Sequence, residues 1–422
     1  MEIKKLLGIR NTTSPERLKP GELSVGQNID IDNTGKGLTR RGQTNKNSTS
    51  GLHSLYANHA VSLVGAGQVL KAVESDFSLT TLKQLTTNAD LTYETVGDTV
   101  YYSNGVDTGR MVGRTWSGWG VAHPVSQPVA TQTSGSLREG RYIYAITYVR
   151  SDGHESGTGI AGSIDLTSTG GILFTSIETS QNPDVVSRNL YISAWYGEVM
   201  YLVASIPNSV SYYTYASNGL DMTIPLTTQF HYPPPAGTLI HHYNGIMYVV
   251  VGDTVYFSMP YGHELFRLDI DFLRFRGKVV MLEGVNDGMY IGTEDLGGAE
   301  EEGAGETVFM SGDRPDKTKL VSLFDYGIKA GTAVLSDAAY FESPVAGEKE
   351  GASARPAVVW ATRHGICIGK DGGVAENLTE PRYSMPTAQS GAAFVRQARG
   401  FASYIVSLRG IGSSNNAYAE TI

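Results

Sequence analysis

The chain has one cysteine, Cys367. A lone thiol excludes a disulfide framework within the chain and any cysteine-based metal cluster, and it points to synthesis in a reducing cytosol. No apolar run reaches 18 residues, so no membrane-spanning helix is expected. The opening, Met1 to Gly8, is too short for a signal peptide and has no small-residue cleavage site. Long helical periodicities are nearly missing. Charged residues make up only 18% of the chain against 41% hydrophobic, which excludes wholesale disorder. What is abundant is glycine, 50 of 422 residues, with 24 tyrosines and many Val, Ile and Thr. That mixture reads as short strands joined by tight turns, an all-β chain long enough for two or three cores.

Four stretches separate. Residues 1–50 are polar and dense in turn residues, and they read as an extended N-terminal arm with one short hairpin, Ile29 to Leu38. The stretch 126–232 is bracketed by Pro124 and Pro128 before it and by Pro233, Pro234 and Pro235 after it, and proline resists continuing a sheet. Inside it, Tyr142, Tyr144, Ile146 and Tyr148 alternate with Ile143, Ala145, Thr147 and Val149 on the two faces of one strand. About seven strands in this length predict an inserted β-sandwich of fibronectin type III kind. The remaining stretches, 51–125 and 233–422, share an octet. Val96–Ser103 matches Val251–Ser258 at seven of eight positions. Looser copies run from Asp287 to Gly292 and from His364 to Gly369. Tyr101 and Tyr256 lie 155 residues apart, or 48 once the insert is removed, close to the 40–50 residues of a four-stranded propeller blade. The prediction is an irregular β-propeller of about five or six blades, split by the sandwich into parts 51–125 and 233–422. A twisted multi-sheet body without closure is the alternative.

Charge is uneven around a net −9. Residues 1–50 carry a net +4 and residues 126–232 a net −4. An acidic body repels duplex DNA, which disfavours a sequence-reading nucleic-acid binder but suits DNA passing without sticking. Glu300, Glu301 and Glu302 lie in a Gly-rich acidic loop that reads as a hairpin tip or as a projection facing a channel.

Signs of chemistry fail one by one. Gly157, Gly159 and Gly162 fit a dinucleotide fingerprint, but a strand-like segment follows where the pyrophosphate needs a helix N-terminus. His263-Glu264 begins a zinc-protease motif that Arg267 breaks, and His154-Glu155 fails too. His241 and His242 are adjacent, so on a strand they face opposite ways. Asn28, Asp30 and Asp32 hint at a calcium loop that lacks the required Gly and Glu positions. Cys367 sits in an apolar strand and reads as a buried, inert thiol. Neither a nucleophile elbow nor repeated sialidase boxes occur. The expectation is a non-enzyme with no cofactor and no metal.

The opening carries the most particular pattern: Gly8 to Asn11, Ser14 to Leu18, Gly21 to Leu23, Gln27 to Asp32, Gly35 and Arg40 to Gly42. It resembles the N-terminus of phage tail-completion proteins, the tail nozzle or packaged-DNA-stabilisation proteins of short-tailed phages. Gly26 stands where a small residue such as Ala is common there. The resemblance covers about 35 of 422 residues. It implies a structural virion protein forming a six-copy ring below the portal and adaptor. Such a ring continues the DNA channel and retains the genome until ejection. The implied partners are further copies of itself, adaptor and portal proteins, tail fibres or spikes, and double-stranded DNA in non-specific passage. The implied location is the virion, after assembly in the host cytoplasm. The core-less basic arm is expected to order only against a neighbour, with Arg17, Arg40 and Arg41 as contacts because Arg pairs bidentately with carboxylates.

Two other functions remain open. One is a host-receptor, glycan-binding tail-tip or fibre-like protein, using aromatic loop tips such as Thr115 to Trp119. The other is a propeller glycosidase, whose paired carboxylates would meet only in the fold.

Overall fold

A computed structural model describes residues 5–32, 34–40, 44–295, 305–312, 314–341, 355–386, 388–398 and 401–410. The chain forms an irregular β-propeller with an inserted β-sandwich and an N-terminal arm. Five sheets follow one another as antiparallel meanders. Blade one is Leu52–Ala57, Ser62–Ala66, Val69–Val73 and Leu79–Gln84. Blade two is Thr92–Val96, Thr99–Ser103, Thr108–Val112 and Thr115–Ser117. Blade three is Leu239–Tyr243, Ile246–Val251, Thr254–Met259 and Gly262–Phe266, with Phe272–Arg274 pairing onto its third strand. Blade four is Val279–Val285, Gly288–Thr293, Thr307–Ser311 and Lys319–Phe324. Blade five is Val334–Asp337, Pro356–Thr362, Gly365–Lys370 and Val374–Asn377. A terminal hairpin, Ser390–Ala398 with Phe401–Arg409, ends the row.

Successive blades bury apolar faces against one another. Leu63, Leu70, Val100, Tyr102 and Met111 fill the space between blades one and two. Tyr101, Ile240, Met247 and Val249 fill the next. Tyr248, Val255, Met289 and Met310 fill the third. Tyr290, Phe309, Trp360 and Cys367 fill the fourth. Val359, Ile368, Tyr404 and Val406 join blade five to the terminal hairpin. The period follows from this stacking. First strands start at Leu52, Thr92, Leu239 and Val279, 40 residues apart in each step once the 107 residues of 126–232 are removed.

The repeated octet is out of step with that period. Gly97 and Gly252 both open their turns with positive φ, 59° and 64°. Yet Val96–Ser103 joins the first and second strands of blade two, while Val251–Ser258 joins the second and third of blade three. It repeats a hairpin, so its spacing of 48 overshoots the blade.

The sandwich has seven strands in two sheets. Val129–Leu137, Gly170–Thr175 and Tyr213–Tyr215 form one; Gly162–Leu166, Gly140–Arg150, Val185–Ser193 and Met200–Pro207 form the other. Tyr142, Tyr144, Ile146, Phe174, Leu190 and Ile192 form its core. Tyr142, Tyr144 and Ile146 supply the inward face predicted from alternation. Arg188 is fully buried there, donating to the carbonyls of Ile177, Glu178, Pro207 and Val210.

The arm departs from expectation. It is seated on its own chain, so it orders without a neighbour. Ile9 packs on the cluster of Tyr383, Met385 and Tyr404. The Asn11 amide donates to Arg382 O at 3.1 Å, and the Asn11 side chain exchanges two bonds with the Ser384 backbone at 2.8 and 2.9 Å. The arm hairpin, Ile29–Ile31 with Gly37–Thr39, reaches the terminal hairpin through Asp30 and Arg396 at 3.2 Å. Seven residues past Arg40, the Asn47 side chain donates to Phe77 O of blade one at 2.8 Å. Seven residues span at most about 25 Å. The arm thus links the last unit of the row to the first across at most about 25 Å of chain, and it serves as the clasp.

Leu70→Ala, at a fully buried site between blades one and two, is expected to lower unfolding free energy by about 2–5 kcal/mol. Denaturant titration of parent and variant measures this.

Candidate functional site

Three clusters of chemistry-bearing side chains stand out: the clasp, the sandwich junction and a relay across the first strands of the blades.

In the clasp, Asp30 lies between two cations, Arg40 at 3.4 Å and Arg396 at 3.2 Å. Arg10 pairs with Glu22 at 3.1 Å. The Lys19 backbone amide, then Arg10, hold the Glu22 carboxyl below its ordinary range. Of the expected contact arginines, Arg40 is thus engaged inside the chain and half-buried, because its own hairpin brings Asp30 to it. Arg17 is exposed, on the single 3-10 turn Pro15–Arg17. Arg41 and the acidic Glu300, Glu301 and Glu302 lie outside the described residues.

The junction carries the densest charge. Glu264 of blade three is 6% exposed in its side chain and meets Arg110 at 3.0 Å, Arg150 at 3.1 Å and His154 Nδ1 at 2.8 Å. Arg150 is 2% exposed; it also binds Asp152 at 2.7 Å and the Gly118 carbonyl at 3.1 Å. Arg110 of blade two pairs with the same Asp152. Burial alone would raise the Asp152 carboxyl, but hydrogen bonds from Arg150 and Arg110 hold it well below its usual range. Glu264 follows the same balance: burial raises it, and His154, Arg150 and Arg110 pull it down.

The glycines of the false dinucleotide fingerprint serve this junction. A Cβ on Gly157 would sit 1.8 Å from His231 O, and one on Gly159 would sit 2.0 Å from Pro124 O. They let the sandwich close against its linkers. A strand, Gly162–Leu166, follows them, as the sequence suggests.

The relay runs across blades two, three and four, whose first strands meet as the inner strands of a propeller do. His241 Nδ1 lies 3.1 Å from Glu94 Oε2, and the Gly284 amide donates to His241 Nε2 at 3.0 Å. That second bond requires the neutral ring with its proton on Nδ1. Burial lowers the His241 pKa, but Glu94 and Glu283 outweigh it and raise it. Burial pushes the Glu283 carboxyl up, with His241 opposing and Glu94 adding. His242 turns the other way, to the His263 ring at 5.0 Å between centroids. Among the described residues, no group of three or more His, Cys, Asp or Glu is placed to hold a metal ion.

Cys367 is buried, and burial pushes its thiol up to about 11. Trp119 is core, donating to His263 O at 3.0 Å. Trp116 is exposed, but Lys83 Nζ covers its ring at 3.4 Å from the centroid. Sequence reading missed the clasp, the Arg150–Glu264 pair and the relay. The only local signal was a charged residue inside an otherwise apolar strand: Glu94, His241, Glu264, Glu283.

No family model matches the sequence, and no curated protein matches it. Solved structures with similarity include the N-terminal domain of Nup159, at 10% identity and TM-score 0.29, covering 85% of this chain and 73% of that one. A second is Saccharomyces cerevisiae Sqt1, at 10% identity and TM-score 0.21, covering 76% and 95%. The propeller assignment rests on the blades themselves.

Glu283 binds its proton more tightly folded than unfolded, because burial disfavours its charged form. Its stabilisation is in place below the unfolded pKa and is lost as pH rises through the folded one. Glu283→Gln is expected to raise the melting temperature at pH 8 by about 2 °C or more, with a smaller gain at pH 5. Thermal unfolding at both pH values checks this, and an unchanged or lower value at pH 8 contradicts it. The junction carboxylates run the other way: their contribution is lost as pH falls through their lowered pKa values.

Proposed function

We propose that the protein is a structural component of a phage tail, one copy of a ring around the DNA passage below the portal and adaptor. The observation that carries this reading is the physical job of the N-terminal string that resembles tail-completion proteins. Its residues build the clasp. Asn11 makes three bonds to the body, and Asp30 sits between Arg40 and Arg396. Gly21 and Gly35 take positive φ where a Cβ would fall 2.3 Å from Lys5 O and 2.1 Å from Lys5 Cγ. The resemblance therefore falls on a built part of the molecule.

The rest fits a wall. Hydrogen-bonded sheets, closed by the arm and braced by a buried ion network, resist deformation. A net negative charge keeps passing DNA from adhering. The sandwich is the part offered to other tail proteins. The glycan-binding alternative is weakened at Trp116, whose face is already taken by Lys83.

Electron microscopy of tails carrying a labelled copy of this chain tests the reading. Six-fold density around the central passage is expected. A clean trimer by native mass measurement together with glycan binding, or label at the particle's periphery, would overturn it.

A further inference from the structure

We propose that the groove holding the arm is an exchange site, one that takes residues 5–40 either from its own chain or from a second copy. The proposal deepens the ring reading and rests on it, naming the partner of the clasp as the neighbouring copy's arm.

Four observations carry it. First, the arm has no core of its own. Among its described residues only Gly21 and Gly35 are buried, and Leu6, Ile9, Leu23, Ile29 and Ile31 are half-buried. Second, its holds on the body are few: Ile9 packs on the cluster of Tyr383, Met385 and Tyr404, and the rest are polar. Asn11 bonds Arg382 and Ser384, Thr12 Oγ1 donates to Pro381 O at 2.5 Å, and Asp30 pairs with Arg396. Each is complementary whichever chain supplies the arm. Third, the seat is loose. Clefts of about 380 Å³ and about 290 Å³ lie between arm and body, lined by Ile9, Val25 and Ile29 on one side and by Tyr383, Met385 and Ile405 on the other. Fourth, the connection is a polar hinge. Thr44, Asn45, Lys46, Ser48, Thr49 and Ser50 are exposed, and Asn47 makes the bond to Phe77.

The occupant follows from these. Arm and groove are different surfaces of one chain, so every copy brings one of each. Contact of that head-to-tail kind builds rings where the rotation between copies closes. In a lone chain the tether gives its own arm an effective concentration in the millimolar range, so the dilute protein keeps its arm at home. Exchange prevails where copies are held together.

The test is a cysteine pair, Asn11→Cys with Ser384→Cys, at positions where the Asn11 side chain now bonds the Ser384 backbone. Cys367 is buried with a raised thiol pKa and does not compete. Oxidised dilute protein should give single chains with an internal disulfide. Concentrated protein, and oligomers isolated by size exclusion, should give a ladder of covalent multimers that reduction collapses. A second variant deletes residues 45–48 and shortens the hinge, which favours exchange; it should shift the untreated protein from monomer to oligomer. Oligomers carrying only internal disulfides would overturn the exchange while leaving the ring intact. A shortened-hinge chain that stays monomeric would also overturn it, and the ring then stands or falls on the particle images alone.

Discussion

A propeller blade has two apolar faces and no means of covering both. Each of the five sheets here solves this by leaning on the next, and the solution fails at the ends of the row unless the ends meet. The clasp is therefore the constraint on which the rest depends. Residues 5–40 lie on the terminal hairpin, and the chain then reaches blade one within seven residues. A two-stranded hairpin is marginal alone. Here Tyr404 and Val406 bury one face against blade five, and Asp30 and Ile9 approach from the arm. The arm's seat thus combines a handful of polar contacts with a few half-buried apolar side chains, Ile9 foremost.

The sandwich is fixed by another means. Its linkers leave and rejoin the propeller at one place, where Gly105 N bonds Gly237 O at 2.7 Å and Gly120 packs on Pro233 and Pro234. Such linkers alone would permit a hinge. The Arg150–Glu264 pair removes it. A buried ion pair adds little net stability over apolar packing, but breaking it leaves a charge stranded, so any other orientation is penalised. The network serves geometry more than stability, which suits a part whose use is its shape.

Much of this fold was legible because its signals are local. The Gly-Asp turns at Gly97 and Gly252, the alternation through Tyr142–Tyr148 and the proline brackets each depend on a few neighbouring residues. The blade period was misjudged for the same reason: Tyr101 and Tyr256 occupy equivalent hairpins on different strand pairs, and strand number within a sheet has no local signature. The clasp was invisible because its partners are more than 350 residues away, as with Asp30 and Arg396. Arg40 looked like a free contact residue for want of knowing that Asp30 faces it. The place of His241 between Glu94 and Gly284 needed three blades to meet.

In the proposed ring, closure and assembly draw on the same contacts. An arm in its own groove and an arm in a neighbour's groove make identical bonds, so their contact energies cancel. What remains is the tether's concentration advantage on one side and the proximity of copies on the other. A balance that near to even is tipped by small terms, since about 1.4 kcal/mol moves a population tenfold. A scaffold that gathers copies can supply that much without any new interface. The weakness of the clasp is then its function: an arm with a core of its own would fold well, but it could not be handed on.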